Sequence, residues 1–207
     1  MPRASKEQTA FNKQTMTVAA SRLFREKGLA GPKVGELAAA AGLTSGAYYS
    51  LFESHDELAA LACAHAFAQS NRKWADQLAR NENTEMLLGA YLDGYLSLEE
   101  RHDVGGGCSA SALCGDLARS GNETPVHAAF ILGLKGMIAN FSGLLRASGI
   151  PHDRRHAVAG IATLVGALTL ARATRSDRLS MEILSAARKS FVAKKRRRVR
   201  TQRVERP

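Results

Sequence analysis

The segment at residues 34–52, VGELAAAAGLTSGAYYSLF, constrains the fold of this chain more than any other. Its apolar residues recur at helical spacing on one face up to Ala41, which predicts a short helix. Gly42 follows, and glycine adopts the left-handed conformation that ends a helix at little cost. A second helix is predicted at residues 45–51. The segment is therefore expected to form two short helices joined by one turn.

The second predicted helix has an unusual solvent face. Thr44 is a suitable N-cap, and Tyr48 and Phe52, four residues apart, are predicted to point inward. Such a helix could approach phosphates and base edges closely, as in a helix-turn-helix. An ordinary αα-hairpin fits the same spacing, so spacing alone leaves both interpretations open. The side chains left outside are small, hydroxyl-bearing or aromatic and carry no charge: Ser45, Gly46, Ala47, Tyr49 and Ser50.

Four motifs lie in and around this segment. They are Leu-Phe-x-x-x-Gly ending at Gly28, Ala-Gly-Leu-Thr at 41–44, Tyr-x-x-Phe at 49–52, and Ser-x-x-x-Leu beginning at Ser54. With these motifs, residues 12–62 resemble the DNA-binding domain of the TetR family of bacterial repressors, in register and without a gap. The resemblance implies a sequence-specific regulator of transcription. The polar N-terminal residues 1–16 contain no secretory apolar region, which predicts a cytoplasmic protein. Its expected partner is double-stranded, palindromic operator DNA, and its expected action is repression relieved by an unknown small-molecule inducer.

The resemblance also implies which residues approach DNA. Thr44 is expected to make a phosphate hydrogen bond besides its cap, and the methyl of Ala47 to touch a thymine methyl. The hydroxyl of Tyr49 is expected to donate to a phosphate. Lys33 and His55 are expected beside the DNA backbone. The full predicted set is Lys33, Thr44, Ser45, Gly46, Ala47, Tyr49, Ser50 and His55.

Three positions depart from the family pattern. The family often has Lys, His and Lys where this chain has Ser45, Leu51 and His55. Those family residues commonly face the DNA backbone, so the departures concern affinity and contacts, not the fold. They are the one feature that supports an alternative from another class: a helical ligand-binding or enzymatic protein whose helix-turn-helix no longer reads DNA.

The whole chain is predicted to be all-α. It has five prolines and no β-branched runs, and periodic apolar faces continue beyond the helix-turn-helix. We expect a three-helix domain at 1–53, a helical ligand-binding and dimerisation domain at 54–193, and a basic, disordered tail at 194–207. The longest near-apolar run, 161–171, is too short to span a bilayer, so no membrane partner is expected.

The last two long helices are predicted to form a homodimer interface. In the family these helices pair with their copies in a four-helix bundle, and small residues on one face permit close helix approach. The open alternative is that the same faces fill the core of one chain. The residues assigned to the interface are Gly160, Ile161, Leu164, Leu168, Ile183, Leu184, Ala187 and Phe191.

Large side chains on three predicted helices could enclose a ligand. Core packing accounts for most of them, and the resemblance implies that a subset lines a mainly apolar cavity for the inducer. The sequence does not separate the two groups. The candidates are Phe67, Trp74, Tyr91, Tyr95, Phe130, Met137 and Phe141.

No catalytic, metal or cofactor site is predicted. The chain has no phosphate loop, Ser-x-x-Lys or His-Glu-x-x-His motif, and its three cysteines follow no ligand spacing. Cys108 follows a predicted flexible break at Gly105–Gly107 and begins a predicted helix, a setting that favours thiolate and so a redox sensor. We favour the alternative of a small buried side chain for Cys108.

The net charge of +10 is concentrated at the C-terminal end. Residues 194–207 hold eight Lys or Arg and one Glu, a net of +7, which leaves +3 for the rest of the chain. Charge alone therefore does not identify a DNA-binding face. The tail itself is interpreted either as a solubility feature or as a source of non-specific attraction to DNA.

Overall fold

The computed structural model describes residues 5–80, 84–121, 124–150 and 153–204. The regular structure of these residues is entirely α-helical, which confirms the predicted fold class. The helices are α1 (Lys6–Lys27), α2 (Val34–Ala40), α3 (Ser45–Leu51), α4 (His55–Arg80), α5 (Thr84–Tyr95), α6 (Leu98–His102), α7 (Ser109–Arg119), α8 (Pro125–Ala147), α9 (Arg154–Ala173) and α10 (Leu179–Val204).

Helix α6 is absent from the sequence-based expectation. It is five residues long, and Ser97 caps it by accepting a hydrogen bond from the backbone N–H of Glu100 at 3.0 Å. So short a helix shows too little apolar periodicity to be recognised. Its C-terminal end is held by Arg172 of α9, whose Nη2 donates to the carbonyl oxygen of Glu100 at 2.9 Å. Cationic donors stabilise the unpaired carbonyls at such a helix end.

The prediction of a disordered tail is wrong for most of its length. Helix α10 continues to Val204, so the backbone of residues 194–204 is helical. Lys, Arg and Gln favour helices, and neither Gly nor Pro interrupts the run before Pro207. Residues 205–207 lie outside the described part of the chain.

Contacts divide the chain into two compact units that differ from the expected domains. The first comprises Met1–Lys73 and Val104–Met137, and the second comprises Trp74–Asp103 and Ile138–Pro207. No boundary falls at residues 53 and 54, because the first turns of α4 belong with α1 to α3. Helix α7 joins the same unit because it packs against α1.

The core of the first unit is formed around α1. Met16, Ala20 and Phe24 of this helix are almost completely buried, together with Leu37 of α2 and Tyr48 of α3. Each larger apolar side chain contributes about 1.5–3 kcal/mol by its burial. This core packs α2 and α3 against α1.

The triple-glycine segment before α7 is anchored to α1, whereas the sequence suggests a flexible break. Arg25 is buried, and its Nη1 donates to the carbonyl oxygen of Gly107 at 2.9 Å. Gly105 lies so close to α1 that an added Cβ would collide with the side chain of Glu26. A side chain at position 105 would therefore displace the side chain of Glu26, and the bond from Arg25 ties the segment before α7 to α1.

The core of the second unit contains the residues that the sequence assigns to a dimer interface. Seven of the eight are buried within a single chain, and Ile183 is half-buried. An added Cβ on Gly160 would collide with the ring of Phe141, so this glycine admits an aromatic ring of the same unit. The interface assignment is therefore wrong for Gly160, Ile161, Leu164, Leu168, Leu184, Ala187 and Phe191.

Two described helices meet the length and composition expected of a membrane span. The most apolar windows of α8 and α9 have mean hydropathies of 1.5 and 1.4. The core helix of a globular protein passes the same test, and α9 has a buried face of this kind. These two helices are therefore weak indications of a membrane location.

Candidate nucleic-acid interface

The turn between α2 and α3 has the predicted left-handed glycine. Gly42 has a φ of 68°, and the N–H of Leu43 donates to the carbonyl oxygen of Ala38 at 2.9 Å. The N–H of Gly42 donates to the carbonyl oxygen of Ala39 at 3.0 Å. This pair of bonds satisfies the last carbonyls of α2 and redirects the chain sharply into α3.

Helix α3 presents one face to the core and the other to solvent, as predicted. Thr44 Oγ1 accepts from the N–H of Ala47 at 3.3 Å and caps the helix. Tyr48 and Phe52 are 4% exposed, and their rings lie 5.8 Å apart. The neighbouring Tyr49 is 72% exposed. Two adjacent tyrosines thus have opposite roles, one in the core and one on the surface.

The structure brings most of the predicted DNA-contacting residues onto one short exposed element. Thr44, Ser45, Gly46, Tyr49 and Ser50 are exposed, and Ala47 is half-buried. Only Thr44 Oγ1 lies within 4 Å of a Cβ built on Gly46, so the helix surface is open at this position. The surface of α3 is therefore narrow and uncharged, and its backbone is accessible.

The surroundings of three predicted DNA-contacting residues determine which groups they can offer to DNA. The hydroxyl of Ser50 donates to the carbonyl oxygen of Ala47 at 2.8 Å, which leaves its oxygen as an acceptor only. His55 packs edge to face on Phe24, with ring centroids 5.3 Å apart, so part of its ring belongs to the core. Lys33 is exposed at the N-cap of α2 and has no ion pair within the described residues.

The junction of α3 and α4 is held by a carboxylate that accepts two hydrogen bonds. Glu57 Oε1 accepts from Lys13 Nζ at 2.7 Å, and Glu57 Oε2 accepts from the N–H of Glu53 at 2.7 Å. The hydrogen bond from Lys13 is the main reason that the pKa of Glu57 is lowered. The ammonium of Lys13 also lies 5.2 Å from the ring centroid of Phe52. The sequence does not indicate this role of Lys13, because a partner 44 residues away leaves no local signal.

Most positive charges near the helix-turn-helix are already paired. Lys13 pairs with Glu57, Arg22 with Glu26 at 2.9 Å, and Lys27 with Glu36, while Arg25 is buried. Of the six Lys and Arg residues between residues 5 and 62, only Lys6 and Lys33 make no such contact with other described residues. Because α3 carries no charge, this part of the chain supplies few cations for phosphates.

The predicted ligand-binding residues fall into separate clusters. In the second unit the rings of Trp74 and Tyr91 have centroids 4.2 Å apart, and Tyr91 lies 5.9 Å from Tyr95 and 5.6 Å from Phe141. Tyr91, Tyr95 and Phe141 are buried. In the first unit Phe67 and Phe130 form an edge-to-face pair at 5.4 Å, and Met137 is buried. Most of these side chains thus pack in a core.

Cys63 and Cys108 are buried in the protein. Burial raises the pKa of Cys63 to about 12. Cys108 is 5% exposed and caps α7 by accepting from the N–H of Ser111 at 3.5 Å. Among the described residues, no group of three or more His, Cys, Asp or Glu side chains is placed to hold a metal ion. The buried position of Cys108 agrees with the favoured interpretation of a small core side chain.

A family model matches the part of the chain that contains this interface. Residues 17–62 match the model of bacterial regulatory proteins, tetR family. The match includes α2, the turn at Gly42, α3 and the first turns of α4. No curated protein matches the sequence significantly.

Solved structures share the fold of nearly the whole chain. A TetR transcriptional regulator from Chloroflexus aurantiacus is 23% identical, with a TM-score of 0.72 over 90% of this chain and 96% of that one. The TetR-family regulator from Cytophaga hutchinsonii is 18% identical, with a TM-score of 0.73 over 93% and 98%. FadR from Bacillus subtilis, solved in complex with stearoyl-CoA, is 15% identical, with a TM-score of 0.59 over 84% and 96%.

The resemblance of residues 12–62 is thus confirmed by a family match, and the all-α architecture beyond them is that of TetR-family structures. Residues 17–62 thus match the tetR family of bacterial regulatory proteins, and nearly the whole chain shares its fold with solved regulators of that family.

Proposed function

We infer that the protein is a homodimeric, cytoplasmic transcriptional repressor that binds a palindromic operator through α3 and leaves it when a small molecule binds. The observation that carries this proposal is the division of α3 into a buried and an open face. Tyr48 and Phe52 hold the helix in the core, while Tyr49 is exposed on an uncharged surface. Such a helix fits the major groove without charge repulsion from the phosphates.

The residues of α3 have complementary roles in this proposal. Gly46 lets the helix backbone approach the groove, and the methyl of Ala47 touches a thymine methyl. Tyr49 donates its hydroxyl to a phosphate and fixes the register of the helix. Few charged groups take part, so base and shape contacts carry a large share of the specificity.

Dimerisation follows from the size of the recognition element. One helix of seven residues reads few base pairs, and a symmetric dimer reads two half-sites about one helical turn apart. We place the dimer interface on the outward faces of α9 and α10, where large apolar side chains remain exposed in one chain. These are Val158 and Leu170 on α9, and Leu179 and Met181 on α10. A second copy would cover them.

The inducer is proposed to bind at the aromatic cluster of the second unit. Trp74, Tyr91, Tyr95 and Phe141 form a mainly apolar wall, which suits an apolar or aromatic ligand. FadR, which shares the fold, binds stearoyl-CoA. Trp74 lies on α4, and Glu57 in the first turn of α4 accepts a hydrogen bond from Glu53, two residues after α3 ends. A ligand that displaces α4 would therefore reposition α3.

A binding-site selection tests the proposed function. Purified full-length protein is incubated with a pool of duplexes carrying a randomised central segment, and bound duplexes are amplified and sequenced over several rounds. The expected result is enrichment of a sequence with two inverted half-sites. Failure to enrich any sequence, with the protein folded and helical, would instead support a helix-turn-helix that no longer reads DNA.

A further inference from the structure

We propose that the C-terminal extension of α10, residues 194–204, is a second DNA-binding surface, which binds the duplex backbone without sequence preference. The proposal takes DNA as the partner on the strength of the proposed function. According to this proposal, the extension supplies most of the affinity that comes from neutralising phosphates, because α3 carries no charge.

The extension holds an unusual share of the charge of the protein. The segment from 194 to 207 contributes +7 of the net +10. Seven of its eight basic residues fall within the helical part, and the sole acidic residue, Glu205, follows it. The basic residues are Lys194, Lys195, Arg196, Arg197, Arg198, Arg200, Arg203 and Arg206.

A helical backbone concentrates these charges. With a rise of about 1.5 Å per residue, the helical backbone of residues 194–203 spans about 15 Å, and seven of these ten residues are basic. They repel one another unless anions neutralise them. Duplex DNA carries one negative charge per about 1.7 Å of its axis, a density of the same order and opposite sign.

The helix-turn-helix fills this role only in part. DNA-binding proteins gain much of their affinity by neutralising phosphates with Lys and Arg and releasing counterions. Here Lys13, Arg22 and Lys27 are paired with carboxylates, and Arg25 is buried. Two of the six Lys and Arg residues between 5 and 62 remain outside such contacts, whereas residues 194–204 hold seven basic residues.

Duplex DNA fits the extension better than a membrane surface does. A helix that lies in a membrane interface needs an apolar face of residues such as Trp, Phe and Leu. Between 194 and 204 the only apolar residues are Val199 and Val204. A basic segment with so few apolar residues fits a partner that offers phosphates alone.

The test compares three full-length proteins: the wild type, a variant with residues 194–198 all changed to Gln, and a control with Arg196, Arg197 and Arg198 changed to Lys. Gln keeps the helix propensity and removes five charges, whereas the control keeps every charge. Binding of a 24-base-pair duplex of random sequence is measured by fluorescence anisotropy over a range of KCl concentrations. Circular dichroism checks that all three proteins have the same helix content.

The wild type and the Lys control are expected to have the same slope of log affinity against log salt. The Gln variant should have a slope shallower by about 0.9 for each phosphate that it no longer neutralises, and at least about tenfold weaker binding at low salt. An unchanged slope would overturn the proposal. The proposal would also be overturned if the Gln variant binds DNA as the wild type does but binds vesicles containing phosphatidylglycerol more weakly. The partner of the extension would then be a membrane.

Operator preference separates this inference from the proposed function. If the extension contacts only phosphates, the Gln variant should keep the ratio of affinities between a selected and a scrambled duplex. The two proposals can also fail separately. If the wild type shows no preference for the selected duplex, but its salt slope is still steeper than that of the Gln variant, the protein does not read an operator and the second DNA-binding surface stands.

Discussion

Arg25 Nη1 donates a hydrogen bond of 2.9 Å to the carbonyl oxygen of Gly107, which lies 82 residues further along the chain. The same guanidinium donates to Gln69 Oε1 of α4 at 3.2 Å through Nη2. One buried side chain thus links α1, α4 and the segment before α7. This side chain therefore adds polar contacts to the apolar packing that holds these elements in one unit.

We predict that Arg25→Leu destabilises the protein by about 2–4 kcal/mol, because it leaves buried acceptors unpaired and removes hydrogen bonds from a charged donor. Urea denaturation followed by circular dichroism measures the change. The matched control is Arg22→Leu. The side chain of Arg22 is 61% exposed and forms an ion pair with Glu26, so this substitution should change the free energy of unfolding by less than about 1 kcal/mol. Equal effects of the two substitutions would contradict the anchoring role of Arg25.

The two adjacent tyrosines of α3 should separate stability from DNA binding. Tyr48→Ala removes a ring that is 4% exposed, so we expect a loss of about 3–5 kcal/mol in the free energy of unfolding. Tyr49→Phe removes one exposed hydroxyl, so stability should change by less than about 0.5 kcal/mol and operator affinity should fall by roughly threefold to tenfold. Unfolding curves and anisotropy titrations of both variants test this pair. A folded Tyr49→Phe protein with unchanged affinity would place the phosphate contact elsewhere.

The lowered pKa of Glu57 predicts how stability depends on pH. A carboxyl whose pKa is lower in the folded state contributes stability that is complete above its unfolded pKa, at about 4.3, and is lost as the pH falls through the folded value. Glu57→Gln should therefore destabilise the protein at pH 7 and have less effect at low pH. Thermal unfolding of both proteins between about pH 3 and pH 7 provides the measurement. A difference in unfolding temperature between the two proteins that stays constant across this range would show that the ionised carboxylate of Glu57 adds no stability through Lys13.

The corrected dimer face can be tested with two nearby leucines of α9. Leu170 is 56% exposed, whereas Leu168 is fully buried. Leu170→Glu should yield a folded monomer in light scattering coupled to size-exclusion chromatography. Leu168→Ala should keep its oligomeric state at low temperature and lose about 3–5 kcal/mol of stability. A Leu170→Glu protein that stays dimeric at micromolar concentration would require a different interface.

The sequence predicted the helix-turn-helix residue by residue because its signals are local. Glycine at position 42, a capping threonine at 44 and an apolar pair at 48 and 52 each specify a conformation within a few residues. Local chemistry was sufficient to predict the elements that form the candidate interface.

The dimer assignment failed because apolar periodicity does not identify what covers a face. The stripe at Ile161, Leu164 and Leu168 fits a core and a four-helix bundle equally well, and the structure places it in the core. The anchored glycines at 105 and 107 were interpreted as flexible for a similar reason. Their partners, Glu26 and Arg25, are about eighty residues away and leave no trace in the local sequence.

The central claim, that α3 reads DNA with its open face, is tested most directly at Gly46. Glu fits there in the free protein, because a Cβ meets only Thr44 Oγ1 at 3.8 Å and an acidic residue is favourable in the first turn. In the major groove the same side chain would block close approach and repel phosphates. Gly89→Glu is the matched control, because no atom lies within 4 Å of a Cβ built there on α5.

The measurement is the ratio of affinities for the selected and a scrambled duplex, in the wild type and both variants. We predict a ratio of about a thousand for the wild type and for Gly89→Glu. We predict a ratio close to one for Gly46→Glu, with helix content unchanged. A folded Gly46→Glu protein that keeps the preference of the wild type would contradict the assignment of α3 as the recognition helix.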